Sequence, residues 1–392
     1  MDFGVDRRAC SRKAKGGLRS LFGKAPSGRE VGERVARLVK RIFKGEVDEA
    51  GWKKDKFVAA LALHPAAPRC KVIVEPEGDL VVRGSTAAIG PGYHAMIVGK
   101  LAPLLDELDY AWVDDADDVP AAMTAWLAGK LREGPVRLGV PEHRAFRCDA
   151  PVLTLTGPRD AAWRDAVIDD PARAADAFPW WRTGPGTRER SHALVEMWLD
   201  VPWREPFDPG ELETMERVDA NLRAAWRAAP ELDLPFAEWA LILDWLSADD
   251  DTAARVRERA DGPATIGYRR YDMEIELSGG WSITMPASFI TTWDDDGARF
   301  VATDGARVVE FTSLTANGAD DSDKLLAVAP EHHPVIARFS DDARRGRAEA
   351  STEDGVRIVH GLMTSAPHVA ILTVKNGDEA WALEMWRSLR VT

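Results

Sequence analysis

The strongest constraint on the fold is a change of period along the chain. From Met273 onward apolar and polar residues alternate, as in Met273-Glu274-Ile275-Glu276-Leu277 and Trp281-Ser282-Ile283-Thr284-Met285. This is the two-residue repeat of a strand with one buried face. Gly279-Gly280 and Asp304-Gly305 supply hairpin turns between such runs. Further strands are expected at 300–303, 307–315, 348–352, 356–363 and 369–374, with a short helix from 323 and a closing helix over 378–389. Upstream the repeat is helical. Met215, Val218, Leu222 and Trp226 fall on one face of a helix over 211–229, and Phe236, Trp239, Leu243 and Leu246 on one face of a second. Eight of the fifteen tryptophans lie between Trp163 and Trp245, which marks this stretch off from its neighbours.

Nearer the start, Val31, Val35, Leu38, Val39 and Ile42 define a helix, and Trp52, Phe57, Ala60 and Leu61 suggest another. Strands at 71–75 and 80–83, a helix over 93–109 and one over 120–132 complete an α+β pattern. The expected organisation is a basic flexible tail (1–30), an α+β domain (31–132), a mainly helical Trp-rich region (133–264) and an antiparallel sheet flanked by helices (265–392). The fold class is α+β.

Composition narrows function by exclusion. With 45% hydrophobic and 29% charged residues the chain can bury true cores. No apolar run approaches the ~18 residues of a membrane span, so a cytoplasmic protein is expected. Cys10, Cys70 and Cys148 are odd in number and unpatterned, which argues against a disulfide framework or thiolate zinc site. The net charge of −13 divides into +8 over residues 1–56 and −21 over the rest. An acidic body repels nucleic acid and anionic lipid, leaving only Arg7, Arg8, Arg12, Lys13, Lys15, Arg19 and Lys24 for such contacts. No aromatic residues interleave those charges as a stacking platform requires.

Two stretches stand out as candidate sites. Gly84-Ser85-Thr86-Ala87-Ala88-Ile89-Gly90-Pro91-Gly92-Tyr93-His94 runs from a strand into a helix and offers backbone N–H groups to an anion. It lacks the Gly-Lys-Ser/Thr ending of a phosphate loop, and a plain turn competes with a ligand loop there. Ser85, Thr86, Tyr93, His94 and Lys100 are its candidate ligand-binding groups, with His94 as general base if the site is catalytic. The second stretch is Phe178-Pro179-Trp180-Trp181-Arg182-Thr183-Gly184-Pro185-Gly186. Adjacent tryptophans cannot both face one interior, and Trp and Arg anchor interfaces, so Trp180, Trp181, Arg182, Trp203 and Arg204 are the candidate partner-binding residues. A packed hinge is the competing explanation.

Other groups give no assembled chemistry. Asp114, Asp115, Asp117 and Asp118 lack the spacing of a calcium loop, as do Asp249–Asp251 and Asp294–Asp296. His332-His333 has no metal-ligand spacing, no Gly-x-Ser-x-Gly elbow accompanies the scattered histidines, and Cys148 sits between Arg147 and an opposing Asp149. No catalytic set, metal or cofactor is expected.

The carboxy-terminal third resembles the PsbP/Mog/DcrB-like sandwich. The resemblance is carried by Gly280-Trp281-Ser282-Ile283-Thr284-Met285-Pro286, Phe289 and the closing helix running to Ser388-Leu389-Arg390. It implies an antiparallel sheet flanked by helices and a role in recognition, as in adaptors, small-molecule or protein binders and secretion-associated chaperones. The resulting expectation is a non-enzymatic adaptor, chaperone or immunity-type protein of a bacterial conflict or secretion system, whose acidic surface suits a basic protein partner. The alternatives are an enzyme or binder of an anionic ligand at 84–94, and nucleic-acid or membrane association through residues 1–30.

Overall fold

In a computed structural model of the chain, residues 3–12, 27–113, 118–294, 297 and 299–391 are described. The expectations for residues 13–26 and for Asp114, Asp115, Asp117, Asp295 and Asp296 lie outside them. The protein is α+β: a sheet and helices at the amino-terminal end, a helical middle region rich in tryptophan, and a carboxy-terminal antiparallel sheet flanked by helices. Two compact units divide the chain differently from the expected boundaries. The first gathers 1–141, 150–199 and 215–266, and the second 142–149, 200–214 and 267–392.

In the first unit, Ser27 and Glu30 form a reciprocal capping box that starts the helix Gly28–Ile42. Its Val31, Val35 and Val39 are buried against a six-stranded sheet, each contributing about 1.5–3 kcal/mol relative to exposure. The sheet runs in the order Val47–Lys53, Lys56–Leu61, Cys70–Val74, Leu80–Ser85, Gly4–Ser11 and Tyr110–Trp112. The helix Pro91–Leu108 packs beside the first, burying Ile97, Leu101, Leu104 and Leu108.

Two expectations are corrected here. Residues 4–11 form an interior strand of this sheet rather than part of a flexible tail. Val5 and Ala9 are buried on one face, while Arg8 pairs with Asp79 and Asp6 with Arg83 at 3.3 Å. Arg12 pairs with Asp106, so much of the described basic charge is engaged within the fold. Residues 47–61 form a hairpin rather than a helix. Phe57, Ala59 and Leu61 are buried at alternate positions, and the Trp52 ring meets Phe57 edge-on across the turn at 5.8 Å. The apolar spacing there satisfies both periods; pairing with Cys70–Val74 decides for the strand.

The rest of the first unit is mainly helical, with a small sheet of Val136–Leu138, Val152–Thr154 and Gly157–Arg159. Val119–Glu133, capped by Asp118, packs Met123, Leu127 and Leu131 against Val152, Val167, Ala174, Ala177 and Phe178. Phe236–Trp245 is the expected second helix, and Thr187–Leu199 and Asp251–Arg259 are further helices, the last capped by Asp250. Asp250 is therefore a helix cap. Trp239 and Leu243 are fully buried, as core residues.

The second unit is built on a seven-stranded antiparallel sheet. Its order is Ile290–Trp293, Arg299–Thr303, Val308–Thr315, His368–Lys375, Val356–Ser365, Arg345–Glu353 and Val335–Ser340. One face is apolar: Phe300, Phe311, Ala348, Ala350, Val359, Met363, Leu372 and Val374 form a core with Trp281, Ile283 and Met285. The helix Glu379–Arg387 lays Trp386 on this face over Gly346 and Gly361. A Cβ at Gly346 would stand 2.6 Å from the indole, so glycine is needed for that approach. Ile290–Trp293 and Val335–Ser340 are strands that the periodicity did not predict.

Candidate ligand-binding cleft

The two stretches singled out in the sequence meet in the first unit. Trp180 N–H donates to the carbonyl of Ile89, and Gly92 N–H donates to the carbonyl of Trp180, both at 3.0 Å. This pair of backbone bonds lays segment 178–183 along the start of the Pro91–Leu108 helix. Gly90 has φ +118, and a Cβ there would lie 2.6 Å from the Trp180 oxygen. The glycines of 84–92 thus serve close approach of another chain segment as well as turning.

The junction borders a cleft of about 680 Å³, within the range typical of small-molecule sites. Pro91, Gly92, His94, Ala95, Val98 and Gly99 line one side, Val119 and Pro120 another, and Trp181, Arg182, Thr183 and Arg7 complete it. Its walls are mainly apolar, its charged groups are two guanidiniums, and no carboxylate lines it among the described residues.

The other candidate ligand groups point elsewhere. Ser85 Oγ reaches the Phe3 carbonyl at 3.5 Å, and Thr86 is fully buried with its N–H on the same carbonyl at 3.1 Å. Tyr93 is buried, and burial raises its phenol pKa further. Lys100 binds Glu46 at 2.6 Å, a carboxylate shared with Arg188 at 2.9 Å. His94 alone of the five lines the cleft. It is 8% exposed, and its Nδ1 has no hydrogen-bond partner among the described residues. Burial, reinforced by the Arg7 charge, lowers its pKa to about 4. So weak a base accepts protons poorly near neutrality.

The candidate partner residues divide as well. Trp180 is 3% exposed and packs on Gly92 and Tyr93, so it belongs to the interior rather than to a surface anchor. Trp181 is half-buried and Arg182 exposed, and both also line a second cleft of about 490 Å³ with Phe178, Trp198 and Leu232. Trp203 and Arg204 lie in the second unit as braces. Arg270 stacks over Trp203 at 4.3 Å, and Arg204 holds Glu211 through bonds of 2.8 and 2.7 Å.

The sequence missed Arg7. Its signal was parity: Arg7 shares that of buried Val5 and Ala9, and so takes the covered side of its strand, where it also stacks over Trp112 at 4.6 Å. A cation there needs an opening or a partner.

The structure also assembles a buried Ser–His pair that no motif announced. His64 Nε2 and Ser191 Oγ are 3.1 Å apart, and the His192 ring stands edge-on to His64 at 4.5 Å. The arrangement opposes catalysis. His64 Nδ1 accepts the Ala66 N–H at 3.2 Å, so in the neutral ring Nε2 carries the proton and donates to Ser191. A ring in that tautomer cannot take the serine proton. Burial pushes His64 well below its ordinary pKa and takes His192 to about 4.

No protein-family model matches the chain, and no curated protein matches it.

Proposed function

We propose that this protein acts by recognition, and that the first unit binds an anionic group carried on an apolar body in the cleft beside His94. The observation that carries this reading is the sign and texture of the walls: Arg7 and Arg182 over Pro91, Val98, Val119, Pro120 and Trp181. A carboxylate or phosphate would meet the guanidiniums while its aromatic or aliphatic part covers the apolar wall. The depressed pKa of His94 and the tautomer of His64 favour binding over proton-transfer catalysis.

The adaptor, chaperone or immunity-type role is the macromolecular form of the same proposal, with the anionic group borne by a partner protein. The likeness of the last third to PsbP/Mog/DcrB-like binders supports recognition in the same way. The local charge of the cleft favours an acidic group there, even though the acidic body as a whole would attract a basic partner.

The test is calorimetric titration of 1-naphthoate into the wild type and into Arg182→Ala, a change at an exposed position. Loss of one charge-assisted bond should weaken binding about tenfold or more. Equal affinities would remove Arg182, and with it the proposed orientation, from the site.

A further inference from the structure

The polar face of the second unit's sheet carries a cluster that the sequence spacing disguised. Glu353 ends the strand Arg345–Glu353, and Asp354-Gly355, with φ +49 and +80, turns the chain into Val356–Ser365. Both central residues at positive φ define the tight hairpin turn that fixes register. Glu353 therefore faces Val356, and Glu349 faces His360. Positions 349, 351 and 353 share parity, so Glu349, Ser351, Glu353 and His360 all rise from one face. His360 leans toward the turn: Nε2 is 3.4 Å from Ser351 Oγ, while Nδ1 is 3.5 Å from Thr373 Oγ1 on the next strand.

The third member arrives from the segment preceding Val335–Ser340. Arg347 and Glu349, 5% and 7% exposed, form an ion pair of 2.8 Å on the sheet. Arg347 also donates to the Pro330 carbonyl at 2.7 Å, and one Glu349 oxygen accepts the N–H groups of both His332 and His333 at 2.9 Å. The buried pair thus clamps the segment and sets the His333 ring over His360, with centroids 5.2 Å apart and planes 20° from parallel. One ligand atom from each of His333, Glu353 and His360 lies within 4.8 Å of the other two.

We propose that His333, Glu353 and His360 form a binding site for a first-row divalent metal ion, of which Zn²⁺ is the best match. Two imidazoles and one carboxylate are a donor set suited to such ions, leaving a fourth position for water or an external ligand. Around tetrahedral zinc, ligand atoms stand roughly 3.4 Å apart, so the three close by about 1.5 Å at most on binding. Glu353 is exposed at the hairpin end and can supply that movement by side-chain rotation. Thr373 beside His360 Nδ1 is the outer partner that orients the ring. The site is independent of the cleft in the first unit.

Equilibrium dialysis of the untagged full chain against Zn²⁺ tests this, with Co²⁺ absorption reporting geometry. The expected result is one ion per chain and visible bands typical of four- or five-coordinate Co²⁺. Glu353→Gln, at an exposed position, and His333→Ala should each weaken Zn²⁺ binding by at least the ~10–100-fold that even outer-partner losses produce at such centres. Thr373→Val should weaken it less than either. No stoichiometric binding by the wild type, or undiminished binding by Glu353→Gln and His333→Ala, would overturn the proposal.

Discussion

Replacing Glu349 by Ala should destabilise the second unit by about 3–5 kcal/mol, the usual consequence of leaving one member of a buried ion pair without its partner. Arg347 is 5% exposed, and without Glu349 its only remaining carboxylate among the described residues is Glu331 at 3.6 Å. The same change releases the N–H groups of His332 and His333. Urea denaturation measures the loss. The double replacement Arg347→Met/Glu349→Leu gives the sharper contrast, because two apolar side chains remove both buried charges and should restore most of the stability. If the single variant melts like the wild type, the pair does not hold the segment.

Acid should weaken the first unit through its buried His94 and half-buried His192. His94 and His192 have pKa values near 4 in the folded chain and near 6.5 when unfolded. Between those values the unfolded state binds more protons, so stability is present above pH 6.5 and is lost as pH falls toward 4. At pH 4.5 the loss is about 2–3 kcal/mol for each ring. Denaturation of the wild type from pH 7 to 4.5 should show this decline, and His192→Phe should remove one proton from its slope. A variant with the unchanged wild-type slope would contradict the burial argument. Asp250 in the first unit, held low by Arg223 and the Ala253 N–H, and Asp304 in the second, held low by the Arg307 N–H and guanidinium, add losses of their own at lower pH.

Much of the helix pattern was legible because one period fitted it. Val31, Val35, Leu38 and Ile42, or Met215, Val218, Leu222 and Trp226, repeat at three and four, which breaks the alternation of a strand. The strand at 4–11 was not, since only Val5 and Ala9 signal burial in a basic segment whose charges are neutralised by residues some seventy to ninety positions away. The hairpin at 47–61 was ambiguous in period and needed its sheet to decide. Of the cleft, His94 and Trp181-Arg182 were visible as unusual local chemistry, but their meeting depends on two backbone bonds that no pattern encodes. His333, Glu353 and His360 were hidden by a spacing that means nothing until the Asp354-Gly355 turn folds it. Parity across that turn was the available signal.

The proposed recognition requires the cleft beside His94 to select negative charge on an apolar body. Titrating the wild type with 1-naphthoate and, separately, with the uncharged 1-naphthylmethanol tests it most directly. Measurable, saturable binding of the carboxylate is expected, at least about tenfold tighter than the alcohol and weakened by added salt. Equal affinity for the two, or tighter binding of the alcohol, would contradict it.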